Sequence, residues 1–417
     1  MSDVFEHRLD NGLVLVAEPI AAAASVAMTL MTPGGLAAQP EDQLGVAPVL
    51  AEMVTRGAGG KGAREHSEAL DELGVQRGVS TGGQFLSVSA SMLGEKLGDA
   101  LPLLVDMVRR PNLEEASLGP SVELALQSLE ALKDDPQGRS MVRLREAHYP
   151  EPLNRSSYGR AGDIEGLTLD CVRAYAAKRC VAGGSVLGVA GAFDWDELKA
   201  MVEEVLGDWQ GSAEPKSPGE VPERAYHHES AETNQVHIGL AYDAPPATAE
   251  DAVLQRFAAS VLSGGMAGRL FTEVREKRGL CYSVGVRYAE QRELGAVLGY
   301  AGTTTQRAQE TLDVFVGELA RLSEGITEAE FERAKVGLKS GLVMQGESTG
   351  ARASAIAGDV YTFGAPRTLA ARAAQVDGVT LEAVNGYVAS HRLGALTVMT
   401  VGPEELKLPV LEGVGAA

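Results

Sequence analysis

The 417 residues include 37 basic and 57 acidic side chains, a net charge of −20, with 45% apolar and 23% charged residues. That length sets a prior of two or three domains, and the apolar fraction is too high for a solvated, disordered polyanion. The acidic surplus repels polyphosphate backbones and anionic lipid, which argues against nucleic-acid and membrane-surface roles.

In chain order, Asp10-Asn11-Gly12 between extended apolar runs signals a hairpin, because Asn-Gly supplies the positive φ angles of a type I′ turn. From Pro19 to Gln39 there is no charge, yet the run breaks at Thr32-Pro33-Gly34-Gly35 and is too short to span a bilayer. Asp3, Glu6, Asp10 and Glu18 before it are the wrong flank for a signal peptide. Leu86, Val88, Ala90 and Met92 alternate with serines, a half-buried strand, and helical periodicity follows over Lys96–Arg109, Leu113–Leu132 and Asp196–Leu206. Gln210 to Arg224 is rich in proline and glycine and reads as a linker.

The halves on either side of it repeat. Leu167-Thr168-Leu169 through Tyr175 matches Val379-Thr380-Leu381 through Tyr387 at Thr, Leu, Val and Tyr. Each copy runs into an apolar strand ending at glycine (Gly191, Gly402), and the long helical patterns Leu113–Asp135 and Ile326–Ser348 recur at nearly the same offset. The expectation is an α+β fold of two duplicated units of about 200 residues, each an antiparallel-rich sheet with helices on one face. The boundaries drawn are 1–210 for the first unit, 211–224 for the linker and 225–417 for the second.

Gly57-Ala58-Gly59-Gly60-Lys61-Gly62 satisfies G-x-G-x-x-G, but a dinucleotide loop must follow a strand, and a phosphate loop needs Ser or Thr where Gly62 stands. It reads as a connection between two helices. Seven histidines are too scattered to build a metal site locally and read as surface or strand residues. Three cysteines without a CxxC pair suit a reducing compartment, so the expected location is the cytoplasm.

The segment Leu270 to Val284 carries more chemistry. Met266, Leu270, Phe271 and Val274 form one stripe of a short helix, and Gly279 reads as the C′ residue that ends it. Arg275 then lies in the last helical turn and Tyr282 at the start of the next strand. A guanidinium beside a phenol is a pair of strong donors, suited to a carbonyl oxygen that gains charge in acyl transfer. The plainer reading is that Arg275 complements the helix dipole and Tyr282 packs.

The run Leu262–Tyr288, with Ser263-Gly264-Gly265-Met266 and Arg269-Leu270-Phe271, resembles the pitrilysin, insulysin and mitochondrial processing peptidase family of zinc peptidases. Leu9-Asp10-Asn11-Gly12, Gln43-Leu44-Gly45-Val46-Ala47 and the corner Lys133-Asp134-Asp135-Pro136 extend the likeness over essentially the whole chain. The departure is at the metal. Where the family carries H-x-x-E-H, this sequence has Pro48, Val49, Leu50, Ala51 and Glu52, and the third ligand should fall near Gln127 or Ser128, with Glu123 and Glu130 close by. Proline offers no lone pair, alanine activates no water, and a catalytic zinc needs about three protein ligands. Pro48 is tolerable in the first turn, so the helix is expected to survive without its metal.

The resemblance implies that two such units face one another, one holding zinc and the other presenting an arginine and a tyrosine that match Arg275 and Tyr282. The chain is accordingly expected to bind no metal, to be inactive alone, and to serve as the zinc-free subunit of a two-chain peptidase acting on unstructured peptides. Zinc would reside in a homologous partner with an intact H-x-x-E-H helix. Self-association into a homodimer stays open. The rival expectation is a structural or peptide-binding scaffold with no part in hydrolysis.

Overall fold

The structure, a computed structural model, describes residues 3–409. The first half of the chain forms β1 (Phe5–Arg8), β2 (Val14–Pro19), β3 (Ser25–Thr32), α1 (Val46–Met53), β4 (Gly57–Ala58), β5 (Lys61–Gly62), α2 (Ala63–Glu72), β6 (Gln76–Thr81), β7 (Leu86–Leu93), α3 (Leu97–Arg109), α4 (Glu115–Ala131), α5 (Pro136–His148), α6 (Ala161–Glu165), α7 (Leu169–Arg179), β8 (Val186–Gly191) and α8 (Trp195–Leu206). The second half forms β9 (Tyr226–Ser230), β10 (Gln235–Ala244), α9 (Ala252–Ser263), β11 (Cys281–Glu290), β12 (Gly295–Thr304), α10 (Ala308–Arg321), α11 (Glu328–Glu347), α12 (Thr349–Phe363), α13 (Leu369–Asp377), α14 (Leu381–Ser390) and β13 (Thr397–Gly402).

Duplication is visible in strand order. One sheet runs β1-β2-β8-β3-β7-β6 and the other β11-β12-β10-β13-β9. Apart from β1, the second sheet reversed repeats the first strand for strand, down to its single parallel pair, β2 with β8 and β9 with β13. The repeated threonines Thr168 and Thr380 are the N-caps of α7 and α14, each accepting a hydrogen bond from the backbone N–H three residues on. The repeated tyrosines are both buried and anchored: Tyr175 donates to the Gly35 carbonyl and Tyr387 to the Gln255 side chain.

The central strand β8 is buried at every position, while β7 alternates buried and partly exposed residues, as its serine pattern predicts. Leu15, Met28, Leu30 and Val189 pack with Leu50 of α1 and Leu104 of α3 to form one core. Ile238, Leu240, Phe257, Phe315 and Val398 anchor the second.

The two compact units are not contiguous in sequence. One comprises the chain through Ala131, Glu151–Ser217 and Met344–Leu369; the other comprises Leu132–Pro150, Pro218–Val343 and Ala370 onward. Thus α12 packs on β8, β3 and β2 of the first unit, and α5 packs on β13 and β10 of the second. Each sheet therefore gains a helix on its remaining face from the other half of the sequence, which local periodicity does not reveal. Val14, Val16 and Val186 receive Ile356 and Val360 of α12 there. The docking is also polar: Arg352 is fully buried against Glu18 of β2 (Nε to Oε2 2.7 Å), and Thr29 and Ser354 hydrogen-bond at 2.9 Å.

Two local expectations are corrected. The β1–β2 hairpin forms, with Arg8 opposite Val14, but its loop is longer than a type I′ turn. The Gly12 N–H donates to the Leu9 carbonyl, and only Gly12 (φ 89°) takes a positive φ, while the Asn11 side chain donates to the Leu206 and Trp209 carbonyls. A turn followed by a left-handed glycine serves the same purpose. His66 and His148 are also buried in helices rather than lying on the surface or in strands. Among the described residues no helix is long and apolar enough to cross a membrane.

Candidate functional site

The positions of the lost zinc motif fall on α1. Gly45 precedes the helix at φ 124°, and a Cβ there would come within 2.4 Å of Ile164, so only glycine fits. The buried Gln39 side chain then caps the first turn: its Oε1 accepts from Gly45 N–H (2.9 Å) and Ala47 N–H (3.1 Å). Pro48 is the third helical residue, where a missing N–H leaves no intrahelical bond unmade. The helix therefore forms without its histidines, as expected.

Zinc does not fit these residues. Pro48 and Ala51 carry no donor, and the Glu52 carboxylate accepts both Nε (3.0 Å) and Nη2 (2.7 Å) of Arg56 one turn on. On α4, which packs against α1, Gln127 donates to Glu123 and the Ser128 hydroxyl donates to the Leu124 carbonyl. Among the described residues no group of three or more His, Cys, Asp or Glu side chains is arranged to hold a metal ion.

The second unit brings Arg275 and Tyr282 together. Leu270 and Val274 are fully buried, and the segment Phe271–Glu276 winds as a π-helical turn rather than a regular helix. Met266 lies outside the expected stripe and is 76% exposed. Gly279 (φ 60°) ends the turn as read from the sequence, its N–H donating to the Arg275 carbonyl at 3.0 Å. Strand β11 then begins with a bulge: Cys281 pairs with Thr303 and Ser283 with Gly302, leaving Tyr282 as the extra residue. A bulge re-aims the side chain it carries, and Tyr282 is 84% exposed. The Arg275 guanidinium lies 5.1 Å from the Tyr282 ring centre and 4.8 Å from that of Phe271.

That guanidinium is held by rings and not by a carboxylate. The nearby acid, Glu273, is taken by Lys277 and Arg278, whose hydrogen bonds hold its carboxyl below the usual range. Arg275 has no ion pair among the described residues. Aromatic contacts orient a guanidinium without consuming its in-plane N–H donors. The arrangement can therefore offer two kinds of hydrogen-bond donor, N–H and phenolic O–H, to one acceptor.

Two family models match the chain in tandem: "Insulinase (Peptidase family M16)" over residues 14–160 and "Peptidase M16 inactive domain" over residues 166–338. The chain belongs to the M16 peptidase family. Among its M16 relatives, an uncharacterised zinc protease of Bacillus subtilis is 28% identical over 387 residues, 91% of this chain and 93% of that protein. One from Rickettsia felis is 25% identical over 360 residues, 86% and 87% of the two chains. The fold matches a crystal structure of a peptidase M16 inactive domain from Pseudomonas fluorescens with a TM-score of 0.85 (22% identity, 98% of this chain and all of that one). It also matches a chain of Complex III2 from Candida albicans with a TM-score of 0.81 (18% identity, 96% of each chain). This is an M16 peptidase-like chain that lacks the M16 zinc motif.

Some functional partners were not evident from sequence reasoning. The Glu52–Arg56 pair is one that its i,i+4 spacing could have signalled. The Gln39 cap had no local signal, because glutamine six residues before an N-cap matches no capping rule. The Tyr282 bulge was also silent, since a bulge is defined by the opposing strand. The loop Gly57–Gly62 connects α1 to α2 as a short hairpin, and Lys61 is engaged by Glu65 at 2.9 Å.

Proposed function

We propose that this chain is the zinc-free subunit of a two-chain metallopeptidase, supplying Arg275 and Tyr282 to the catalytic centre of a homologous partner that carries H-x-x-E-H. The observation that carries the reading is the contrast between the two sites. The helix of the zinc motif persists with none of its ligands, while an uncommitted guanidinium and an exposed phenol stand side by side at a bulge.

In that role Arg275 and Tyr282 donate hydrogen bonds to the substrate carbonyl and to its oxygen as negative charge accumulates, with the metal held by the partner. Donors already oriented by Phe271 need no reorganisation at that moment. The substrates are unstructured peptides, which can lie along a terminal strand by backbone pairing. Strand β6 is terminal in its sheet, and its alternate residues Gln76, Gly78 and Ser80 are exposed. Three free cysteines support a reducing, cytoplasmic setting.

The test is reconstitution with the partner, comparing wild type with Arg275→Ala and Tyr282→Phe. Each variant should lower kcat about a hundredfold at equal complex formation, the effect of losing roughly 3 kcal/mol of donor stabilisation. Unchanged turnover would remove the role. A second reading, a scaffold subunit without a part in hydrolysis, is favoured by the likeness to a chain of Complex III2; peptide binding with no partner-dependent cleavage would select it.

A further inference from the structure

In the second unit two arginines without an acidic partner act on one buried tyrosine, against the acidic balance of the whole chain. Arg145 and Tyr149 are one turn apart on and just beyond α5, with the guanidinium 5.0 Å from the ring centre. Arg287 reaches the same place from β11, the terminal strand: it stands opposite Leu298, which packs with Tyr149 and Leu144 in one apolar cluster. Arg287 is exposed and Arg145 half-buried, and neither side chain has a hydrogen bond or an ion pair among the described residues.

The nearby acids are committed elsewhere. Glu146 pairs with Arg143 at 2.8 Å, Glu290 with Arg256, and Asp243 with Arg224. Glu293, exposed in the turn after β11, makes no ion pair with either arginine. Tyr149 is 2% exposed, and its hydroxyl, shielded from water, meets no group at full hydrogen-bond geometry, with the Gln291 side chain a polar neighbour acting on it. Burial raises its pKa, with Arg145, Arg287, Gln291 and Arg224 offsetting, so it stays a protonated donor. Burial also lowers the Arg145 pKa, the ionisable Tyr149 hydroxyl opposing this and the Arg287 charge adding to it. Two guanidinium groups held together without a counter-ion repel one another, and an anion between them relieves both.

We infer that Arg145, Arg287 and the Tyr149 hydroxyl form a binding notch for a carboxylate. Planar guanidinium forks match a carboxylate edge in two parallel hydrogen bonds. The surroundings, Ala289, Leu294, Ala296 and Leu298, are apolar, and Arg224 is taken by Asp243, so beyond the neutral Gln291 amide no further cation is on offer, which suits a single negative charge rather than a phosphate dianion. The carboxylate comes either from a small free acid or from a peptide, as an acidic side chain or a chain end. Nothing in the inference requires the partner subunit or hydrolysis.

The test uses the purified full chain alone at fixed ionic strength. Fluorescence anisotropy compares labelled unstructured peptides that carry internal glutamates with an amidated end, a free C-terminal carboxylate only, or neither. Citrate is tested separately by titration calorimetry. At least one carboxylate ligand should bind tenfold or more tighter than the neutral peptide. Arg287→Gln and Arg145→Gln should each remove that preference, and Tyr149→Phe, which keeps the ring under Arg145, should weaken it a few-fold. Arg287 is exposed, so its variant is expected to fold, and its circular dichroism spectrum checks this. Equal affinity for charged and neutral peptides with no citrate binding would overturn the inference, as would a preference that survives in Arg287→Gln.

Discussion

Removing the Glu18 carboxylate should destabilise the chain severely, because Arg352 has no other ion-pair partner among the described residues. Arg352 is fully buried on α12 and Glu18 is 2% exposed on β2, and the same face is lined by Val14, Val16, Val186 and Ile356. Glu18→Leu leaves a guanidinium in apolar surroundings with neither water nor counter-charge, a change that costs roughly 3–5 kcal/mol. Set against a net stability of about 5–15 kcal/mol for a typical domain, that is about a fifth or more of what holds the fold. The double variant Glu18→Leu/Arg352→Met replaces the pair by apolar side chains of similar volume and should lie within about 1 kcal/mol of wild type. Urea unfolding followed by circular dichroism measures both, and limited proteolysis should show α12 released first in the single variant. A loss below about 1 kcal/mol in Glu18→Leu, or a double variant no more stable than the single one, would refute the reasoning.

His148 makes stability fall with acid. It is buried, hydrogen-bonded to Thr397 at 3.0 Å, and burial, with the Arg224 charge adding and Asp243 opposing, pushes its pKa down to about 4. The unfolded chain binds the proton at about 6.5, so this contribution is full above that pH and is lost as pH falls toward 4. Wild type should lose roughly 3 kcal/mol over that interval beyond the loss in His148→Gln; parallel urea midpoints at pH 7.5 and 4.5 would refute it. Gln39→Ala strips the cap from α1 and leaves two buried N–H groups unmatched, which should cost about 1–3 kcal/mol in the same unfolding assay. No measurable loss would mean that water or another acceptor replaces it.

Much of the architecture is legible in the sequence because it is local. Alternating serines mark β7, the Thr168 and Thr380 caps mark the repeated helices, and Asp135-Pro136 marks the start of α5, where the Asp135 side chain accepts from Gly138 N–H at 2.8 Å. The convergence of Arg275 and Tyr282 was also readable, because both lie within one turn–strand step. What stayed hidden depends on distant partners. Strand pairing decides that Tyr282 sits on a bulge, and the exchange of α5 and α12 joins Arg352 to Glu18 across more than three hundred residues. The turn at Asn11 departs from its type for a related reason: its side chain serves the Leu206 and Trp209 carbonyls at the other end of the first half of the chain.

The central claim is that this chain completes a catalytic centre it does not itself contain. The most direct measurement is the rate of cleavage of an unstructured peptide by the purified chain, by a homologous chain bearing H-x-x-E-H, and by an equimolar mixture, with zinc supplied in all three. The account predicts no turnover for this chain alone and a rate in the mixture far above that of the partner alone. Hydrolysis by this chain without the partner, or a partner whose rate does not change when this chain is added, would contradict it.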